Sequence, residues 1–432
     1  MESMNNLILK NCKFSDKQIK NIIIEDGKIA KITKDLSKSD LTSDNIIDLK
    51  EKYVIPGLID PHVHFRDPGL TYKEDWASGS MAAAHGGYTT VIDMPNTNPQ
   101  TDTLKNFKEK KQIALKKSYC DFALQAGVKS KKDVDEIMTE KPASFKIFMD
   151  LYSDDELNEL FSHIENTGKL LCLHCEDQKL VNYYTSKLKE NPDNKRDCKA
   201  YSQARSEIAE LISVHKAISY AKKYNLQLHL CHISSNQTLK YVEAYRQDMN
   251  ISIEATPHHI FLDNSTYDSY GTKAKTNPPL RNKKYALCVD DLCKFDSIGT
   301  DHAPHTLEEK TKDTWTTAAG IPGLEVTMKL LLSQVNKNKL SLDEIIRLTS
   351  ANPARIFKIE NKGFIKEGYD ADLCVIDMDK CGIVDVDEFY TQAKYTPFEG
   401  MEYSGDVIMT INRGEIICEE DELIKHDVKY VY

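Results

Sequence analysis

The 432-residue sequence predicts an α/β fold, namely a (β/α)8 TIM-like barrel with a small β-sandwich domain formed by both termini. Three observations lead to this prediction. Eight apolar segments alternate with helical patterns through the middle of the chain, as the strands of a parallel barrel do. Both ends instead contain short strand patterns separated by turns. The length suits one barrel of roughly 250–300 residues and a smaller second domain.

The N-terminal strand patterns are "NLILKNCKF", "IKNIIIEDGKIAKIT" and "NIIDL", and the "EDGK" within the second predicts a hairpin turn. The C-terminal patterns are "DADLCVIDM" and "DVIMTINRGEIICE", in which Arg-Gly predicts another turn. We therefore expect residues 1–52 and 359–432 to build the small β domain together, with residues 53–358 forming the barrel between them.

Eight strands are predicted within the barrel region, each an apolar run bounded by polar residues. They lie near residues 54–64, 89–94, 121–128, 144–150, 169–175, 226–232, 251–256 and 296–301. Two helices between them are especially clear. "TYKEDWASGSMAAAHGG" ends in a Gly-Gly stop, and "SQARSEIAELISVHKAISYAKKY" has apolar residues three and four apart.

Composition excludes several classes of function. The formal net charge of −10 argues against a nucleic-acid-binding surface. No apolar run reaches the roughly 18 residues of a membrane span, and the first residues do not resemble a signal peptide. The eleven cysteines are scattered, and Cys172 and Cys175 have no second pair at zinc-ribbon spacing. We expect a cytoplasmic protein with free thiols.

Polar residues at the ends of the predicted strands carry the functional prediction. Active sites of such barrels lie at the carboxyl ends of the strands. His62 and His64 end the first strand, His174 the fifth, His232 the sixth and Asp301 the eighth. Imidazoles and carboxylates are ligands of zinc-type metals. Each residue alone has an ordinary structural explanation, such as a helix cap for Asp301, but five at the same barrel end predict a metal site.

Lys146 lies inside the otherwise apolar fourth strand, "FKIFM". Burying a lysine as a cation is costly, so it should be paired or neutral. One interpretation is that its ammonium extends to the rim beside an acid. The other is that a neutral amine takes up carbon dioxide and becomes an anionic carbamate, whose two oxygens can bridge two metals. The residue pattern alone leaves both open.

The segments "PGLIDPHVHFRDPG", "FKIFM" and "TDHAPH" together resemble the amidohydrolase superfamily, and within it the dihydroorotases of the type that keeps a lysine at the bridging position. The resemblance extends over nearly the whole chain. Further segments follow in the order of that family: "KEDWASGSMAAAHGGYTTVIDMPNTNP", "HLCHIS", "KTNPPLR", "DHAPHTLEEK", "GIPGLE", "TSANPARIF", "GYDADLCVID" and "TPFEGMEYSGDV".

This resemblance implies a binuclear zinc centre with two Zn²⁺ per chain. One ion would be held by His62, His64, Lys146 and Asp301, and the other by Lys146, His174 and His232. Lys146 would be N6-carboxylated, and a hydroxide would bridge the ions together with it. Some relatives have an aspartate at this position, so the lysine favours the carbamate. Asp301 would act as the catalytic residue that moves the proton.

The resemblance also implies a reaction, the reversible hydrolysis of dihydroorotate to N-carbamoyl-aspartate in pyrimidine biosynthesis. By strand alternation Arg66 should share the face of His62 and His64, and a guanidinium suits the substrate carboxylate. The resemblance adds further substrate contacts, namely Asn96, Asn277, His305, Ala319 and Gly320. Alternatives are a salt bridge of Arg66 with Asp67 or Glu74, and turn chemistry for the asparagines.

Two other functions stay open at this point. Hydantoinases (dihydropyrimidinases) and allantoinases open neutral rings and lack an arginine at the position of Arg66, so this residue favours an anionic substrate. A non-catalytic homologue would usually have lost metal ligands, and all six candidates are present. The family commonly forms homodimers. The stretch "DLYSDDE" after the fourth strand is a candidate lid over the site.

Overall fold

Two β-sheets organise the chain in the computed structural model, which describes residues 6–37, 40, 45–195 and 197–432. Five strands come first: β1 (Leu7–Lys13), β2 (Ile19–Glu25), β3 (Lys28–Thr33), β4 (Ile46–Asp48) and β5 (Tyr53–Pro56). The predicted hairpin at "EDGK" connects β2 to β3. Its turn residues Asp26 and Gly27 have φ values of 50° and 74°, the left-handed values that a tight hairpin turn requires.

Eight parallel strands then form the barrel, and each pairs with the next along the chain. They are β6 (Leu58–Val63), β7 (Tyr88–Asp93), β8 (Asp121–Ala126), β9 (Ser144–Phe148), β10 (Leu171–His174), β11 (Leu228–Leu230), β12 (Ile251–Ala255) and β13 (Ser297–Ile298). A parallel bridge between Val63 and His302 connects the first strand to the segment after the last. The predicted (β/α)8 barrel is confirmed.

Helices surround the barrel and follow most of its strands. They are α1 (Trp76–His85), α2 (Leu104–Lys117), α3 (Lys131–Met138), α4 (Asp154–Glu165), α5 (Gln178–Lys189), α6 (Cys198–Ala204), α7 (Glu207–Tyr224), α8 (Asn236–Tyr245), α9 (Pro257–Phe261), α10 (Tyr267–Tyr270), α11 (Leu307–Lys310), α12 (Leu324–Asn336), α13 (Leu342–Ile346) and α14 (Asn352–Ile356). None of the described helices has the length and apolarity that crossing a membrane requires.

Four strands complete the second sheet: β14 (Leu373–Ile383), β15 (Glu402–Asn412), β16 (Glu415–Glu419) and β17 (Glu422–Leu423). The sheet has nine strands in the order β17-β16-β15-β14-β5-β1-β2-β3, with β4 beside β1. Strands from both ends of the chain therefore share one sheet, as predicted. The Arg-Gly turn between β15 and β16 also forms, with φ of 47° at Arg413 and 76° at Gly414. The boundaries 1–52, 53–358 and 359–432 stay a prediction.

Two of the predicted elements were wrong in detail. The single strand predicted over residues 54–64 is two strands in different sheets, because the chain leaves the nine-stranded sheet at Gly57, whose N–H donates to the Asp372 carbonyl at 2.8 Å. The single helix predicted from "SQARSEIAELISVHKAISYAKKY" is interrupted at Arg205 and Ser206, which separate α6 from α7. Apolar periodicity continues across both breaks and therefore does not reveal them.

The main apolar core lies between the barrel strands and the helices around them. Trp76 of α1 is fully buried there, in an edge-to-face contact with Phe65 at 5.1 Å between ring centroids and a tilted contact with Phe122 at 5.1 Å. Such aromatic pairs add stability beyond the burial of their surface. This core holds the strands in place, so that the residues at their carboxyl ends are presented at a rigid rim.

A buried charge network joins the barrel to the nine-stranded sheet. The Lys362 ammonium bonds to carboxylates of Asp121 in β8, at 2.8 Å, and of Asp372, next to β14. Arg413 adds a contact from its Nε to Asp121 at 3.1 Å. Burial alone would lower the pKa of Lys362, but the two aspartates outweigh it and raise that pKa.

We expect Lys362→Met to lower the free energy of unfolding by about 3 kcal/mol, because it removes the cation that two buried carboxylates share and leaves only Arg413 to pair with Asp121. Urea denaturation followed by circular dichroism measures this effect. Lys366→Met, at an exposed position nearby, is the matched control and should change stability little. A Lys362→Met protein as stable as the starting protein would show that the network does not stabilise the junction.

Candidate metal centre and binding pocket

His62, His64 and Asp301 meet at the carboxyl end of the barrel. His62 lies in β6, His64 directly follows it, and Asp301 comes three residues after the end of β13. Both imidazoles direct Nε2 to the same Asp301 oxygen, at 3.3 Å from His62 and 3.0 Å from His64. The ligand atoms of the three residues lie within 4.8 Å of one another, a spacing at which one metal ion can contact all three.

His174 and His232 form a second pair beside the first group. His174 ends β10, and its Nδ1 is 3.1 Å from Nε2 of His232, which follows β11. The ring centroids of His62 and His232 are 5.2 Å apart, so the two groups adjoin. His232 and Asp301 have φ values of 35° and 49°. These left-handed residues turn the chain after the strand ends, so strand alternation does not determine their direction.

Lys146 lies in β9 and is only 2% exposed. Its Nζ is 2.9 Å from the Cys231 sulfur and 5.3 Å from the centroid of the Phe148 ring. Among the described residues no carboxylate forms an ion pair with it, so the arrangement does not match the expected contact with an acid at the rim. The contact with Cys231 places this lysine next to the chain segment that carries His232. Lys146 does not line the large pocket described below.

Three of the four candidate imidazole ligands have their other ring nitrogen held by an oxygen. His62 Nδ1 donates to Glu254 at 2.8 Å, His64 Nδ1 to Asn96 at 2.7 Å, and His174 Nε2 to Glu176 at 3.0 Å. Metal-binding histidines are typically oriented by such outer hydrogen bonds, which fix the tautomer and leave the inner nitrogen for the metal. The donor set therefore fits a metal centre.

Glu254 and Glu176 were missed in the sequence, although a signal for Glu254 was present. It is the charged residue within the apolar strand "ISIEAT", the same signal that singled out Lys146. Glu176 gives no such signal, because it follows the end of its strand. Arg205, also missed, bonds to the Glu176 carboxylate through Nε at 3.0 Å and lines the pocket.

At Asp301, His64 and His232 the electrostatics favour the protonation states that bind metals. Burial raises the pKa of Asp301, but His62 and His64 outweigh it and hold that pKa well below the ordinary value. Burial and the neighbouring His174 lower the pKa of His232 far below its ordinary value, and burial lowers that of His64 to about 4. His62 differs: despite burial, Glu254 and Asp301 raise its pKa to about 10. An ionised carboxylate and neutral imidazoles are the metal-binding forms.

A cavity of about 340 Å³ opens over this cluster, a volume in the range of small-molecule sites. All the predicted metal ligands except Lys146 line it, together with every predicted substrate contact. The lining residues are His62, His64, Arg66, Asn96, Phe148, His174, Arg205, His232, Asn277, Asp301, Ala303, His305, Ala319 and Gly320. The pocket therefore combines a metal-type cluster with a set of polar groups for binding.

Arg66 lies in the wall of this pocket next to His305. Its Nη2 is 3.3 Å from His305 Nε2, and its Nε donates to the Pro304 carbonyl at 3.3 Å. Arg66 has a φ of 62° and follows the end of β6, so the loop rather than strand alternation directs it to the pocket. The two acids proposed as alternative partners bond elsewhere, Asp67 to Lys117 and Glu74 to Thr391.

The remaining polar groups of the pocket are held by neighbours. His305 Nε2 is 3.1 Å from the Ala319 carbonyl, and burial together with the charge of Arg66 lowers its pKa to about 3, so the imidazole is neutral. The Asn277 side-chain oxygen accepts from the Tyr201 hydroxyl, as the Asn96 oxygen does from His64. The side-chain N–H groups of Asn96 and Asn277 can therefore donate hydrogen bonds to a ligand.

We expect Glu254→Gln to weaken metal binding by about 10–100-fold, because an amide holds the His62 ring less firmly than a carboxylate does. Competition with a chelator, followed by metal analysis per chain, measures the affinity. Glu190→Gln, at an exposed position, is the control and should leave the affinity unchanged. Equal metal affinity in Glu254→Gln and the starting protein would contradict this role.

Comparison with known families agrees with this geometry. The profile of the Amidohydrolase family matches residues 53–417. The chain is 60% identical to the dihydroorotase of Methanosphaera stadtmanae, over 99% of this chain and 100% of that protein. It is 43% identical to the dihydroorotase of Methanothermobacter thermautotrophicus, over 99% of this chain and 97% of that protein.

Solved structures with the same fold include enzymes with other names. The L-hydantoinase (dihydropyrimidinase) of Arthrobacter aurescens superposes with a TM-score of 0.93 at 30% identity, over 99% of this chain and 100% of that chain. The dihydropyrimidinase of Brevibacillus agri gives 0.90 at 25% identity, over 99% of this chain and 98% of that chain. The backbone thus agrees closely with a hydantoinase and a dihydropyrimidinase, while the higher identity is to dihydroorotases.

Proposed function

The chain belongs to the amidohydrolase family, and within it to the dihydroorotases, and from this premise we propose that it catalyses the reversible hydrolysis of (S)-dihydroorotate to N-carbamoyl-L-aspartate in de novo pyrimidine biosynthesis. The observation that supports this substrate most directly is the position of Arg66 and His305 beside the metal-type cluster, in one cavity of about 340 Å³. A guanidinium in that wall is suited to the carboxylate of the ring.

The cofactor in this proposal is a pair of zinc ions per chain, held by the ligand set expected from the sequence. One ion would be held by His62, His64, Lys146 and Asp301, and the other by Lys146, His174 and His232, with Lys146 as its carbamate. When bound, such ions supply Lewis acidity and lower the pKa of water. The outer bonds from Glu254, Asn96 and Glu176 orient the ligands.

Asp301 is the proposed proton shuttle. Its low pKa keeps the carboxylate ionised, so it can accept the proton of the attacking water as the new C–O bond forms. It then donates this proton to the amide nitrogen as the C–N bond of the ring breaks. In the synthetic direction the same carboxylate removes a proton from the carbamoyl nitrogen, as microscopic reversibility requires.

The binding groups divide between the carboxylate and the ring. Arg66, Asn96 and the neutral His305 would bind the substrate carboxylate, the guanidinium through paired hydrogen bonds. Asn277 and the backbone of Ala319 and Gly320, which also line the cavity, would contact the ring amides. These contacts hold the scissile amide against the cluster, and positioning of this kind supplies a large share of rate enhancement.

The second candidate is a hydrolase of neutral cyclic amides, which the superposition on the Arthrobacter aurescens hydantoinase favours. We expect kcat/KM for dihydroorotate to exceed that for hydantoin and allantoin by about 100-fold or more, because only dihydroorotate pairs with Arg66. Parallel assays of the zinc-loaded protein on the three substrates measure this ratio. Preference for hydantoin or allantoin would assign the protein to the second candidate.

The zinc content and the oligomeric state of the protein test two further parts of the proposal. A non-catalytic homologue would contain little zinc, so metal analysis that finds about two ions per chain argues against this alternative. A homodimer, expected from the family, is measured by sedimentation of the full chain.

A further inference from the structure

A second, smaller cavity lies next to the pocket and reaches Lys146. Its walls include Pro95, Val128, Phe148 and Tyr152, and Lys146 lies in its lining. It shares Asn96 and Phe148 with the large pocket, but Lys146 lines only the small one. Lys146 thus lines a cavity other than the substrate pocket.

The small cavity opens to solvent at residues of the segment predicted as a lid. Leu151 and Tyr152 line this cavity and not the large pocket, and Leu151 is 69% exposed. Two contacts brace the opening. The Tyr152 hydroxyl donates to the Val128 carbonyl at 2.8 Å, and Lys129 pairs with Asp102 at 2.5 Å. The charges at the opening therefore neutralise each other.

The size and lining of this cavity select what can enter it. Its volume is about 40 Å³, against about 340 Å³ for the pocket, so it accommodates a molecule of a few atoms and excludes dihydroorotate. A single water needs roughly 10–15 Å³ of such space. Most of the surface that lines this cavity is apolar, and transfer of a hydrated ion such as bicarbonate into such surroundings is costly. A small uncharged molecule meets no such cost.

We propose that this cavity is the route by which carbon dioxide reaches Lys146, separate from the opening used by the substrate. The inference rests on the proposed function, which requires Lys146 as a carbamate. In the reaction the amine lone pair forms an N–C bond to the carbon of CO₂, and one C=O π pair moves onto oxygen. The proton of the nitrogen leaves to water, so the product is a carbamate and a hydronium ion.

The experiment fills the cavity and follows formation of the carbamate. The full-length protein is stripped of metal in CO₂-free buffer and then given zinc with ¹³C-bicarbonate pre-equilibrated with CO₂. Growth of the ¹³C carbamate resonance and uptake of zinc are recorded together. Leu151→Trp places a bulky side chain at the opening. Gly127→Val narrows the interior, and a Cβ there would contact Asp102 and Pro95 at 3.4 and 3.6 Å, ordinary packing distances.

The matched control is Leu115→Trp, in the last turn of α2, where the leucine is 38% exposed and does not line the cavity. We expect carbamate formation to slow by about tenfold in both filled variants and to keep its rate in the control. If Leu151→Trp and Gly127→Val form the carbamate as fast as the starting protein, the proposed route is wrong, but the carbamate of the proposed function is not contradicted. No label in the starting protein overturns both the route and the carbamate of the proposed function.

Discussion

Asp301→Asn is expected to lower kcat for dihydroorotate hydrolysis by about 10³-fold, because the amide can neither accept the proton of water nor donate it to the leaving nitrogen. In the structure the Asp301 carboxylate is the point where His62 and His64 converge, at 3.3 and 3.0 Å. Its ionised state is held by these neighbours against burial. The loss should fall on kcat, since the residue is proposed to act on bonds that change in the transition state.

Metal analysis separates the proton role of Asp301 from its role as a ligand. A variant that keeps about two zinc ions per chain and loses turnover supports the shuttle. A variant that loses zinc and regains turnover at high zinc concentration indicates a ligand role only. Asp313→Asn, at an exposed position, is the control for the charge change and should keep full activity. Full turnover in Asp301→Asn would remove this carboxylate from the mechanism.

Arg66→Met is expected to lower kcat/KM for dihydroorotate by about 10³-fold, equivalent to about 4 kcal/mol, mainly through a higher KM. The reason is the loss of two charge-assisted hydrogen bonds to the substrate carboxylate, each worth about 1.5–3 kcal/mol. Arg66 is buried at the pocket wall, where such bonds are less screened by water than at the surface.

Substrate charge and side-chain geometry supply the controls for Arg66. The weak turnover of neutral hydantoin should change little in Arg66→Met, because this ring has no carboxylate to lose. Arg66→Lys should recover only part of the affinity, since an ammonium lacks the planar pair of donors. Equal losses for dihydroorotate and hydantoin would indicate that Arg66 supports the structure of the pocket and does not recognise the anion.

The sequence was informative where chemistry coincides with a regular element. The barrel followed from eight apolar segments, and the rule that functional residues lie at the carboxyl ends of strands singled out His62, His174 and Asp301. The structure brings these residues to one rim, although their roles as ligands stay a prediction. The family resemblance supplied what spacing could not, namely the carbamate and the substrate.

Several of these side chains point into the pocket because of local turns, whereas strand alternation was the predicted cause. Arg66, His232 and Asp301 all follow the last residue of their strands and have φ between 35° and 62°. They reach the pocket through local left-handed turns, which hydrophobic periodicity does not encode. Strand alternation predicted that Arg66 faces the pocket, and it does. Its backbone is not in a strand conformation, however, so alternation is not the cause.

By itself the sequence determined the barrel, the sharing of a second sheet by both termini, and the membership of the chain in its family. Only the tertiary structure decided that Glu254 and Glu176 orient the imidazoles, that the chain changes sheets at Gly57, and that Lys146 faces a cavity of its own. The physical reason is range. Strand and helix patterns depend on residues a few positions apart, whereas these features depend on contacts between segments distant in the chain, for instance 192 residues between His62 and Glu254.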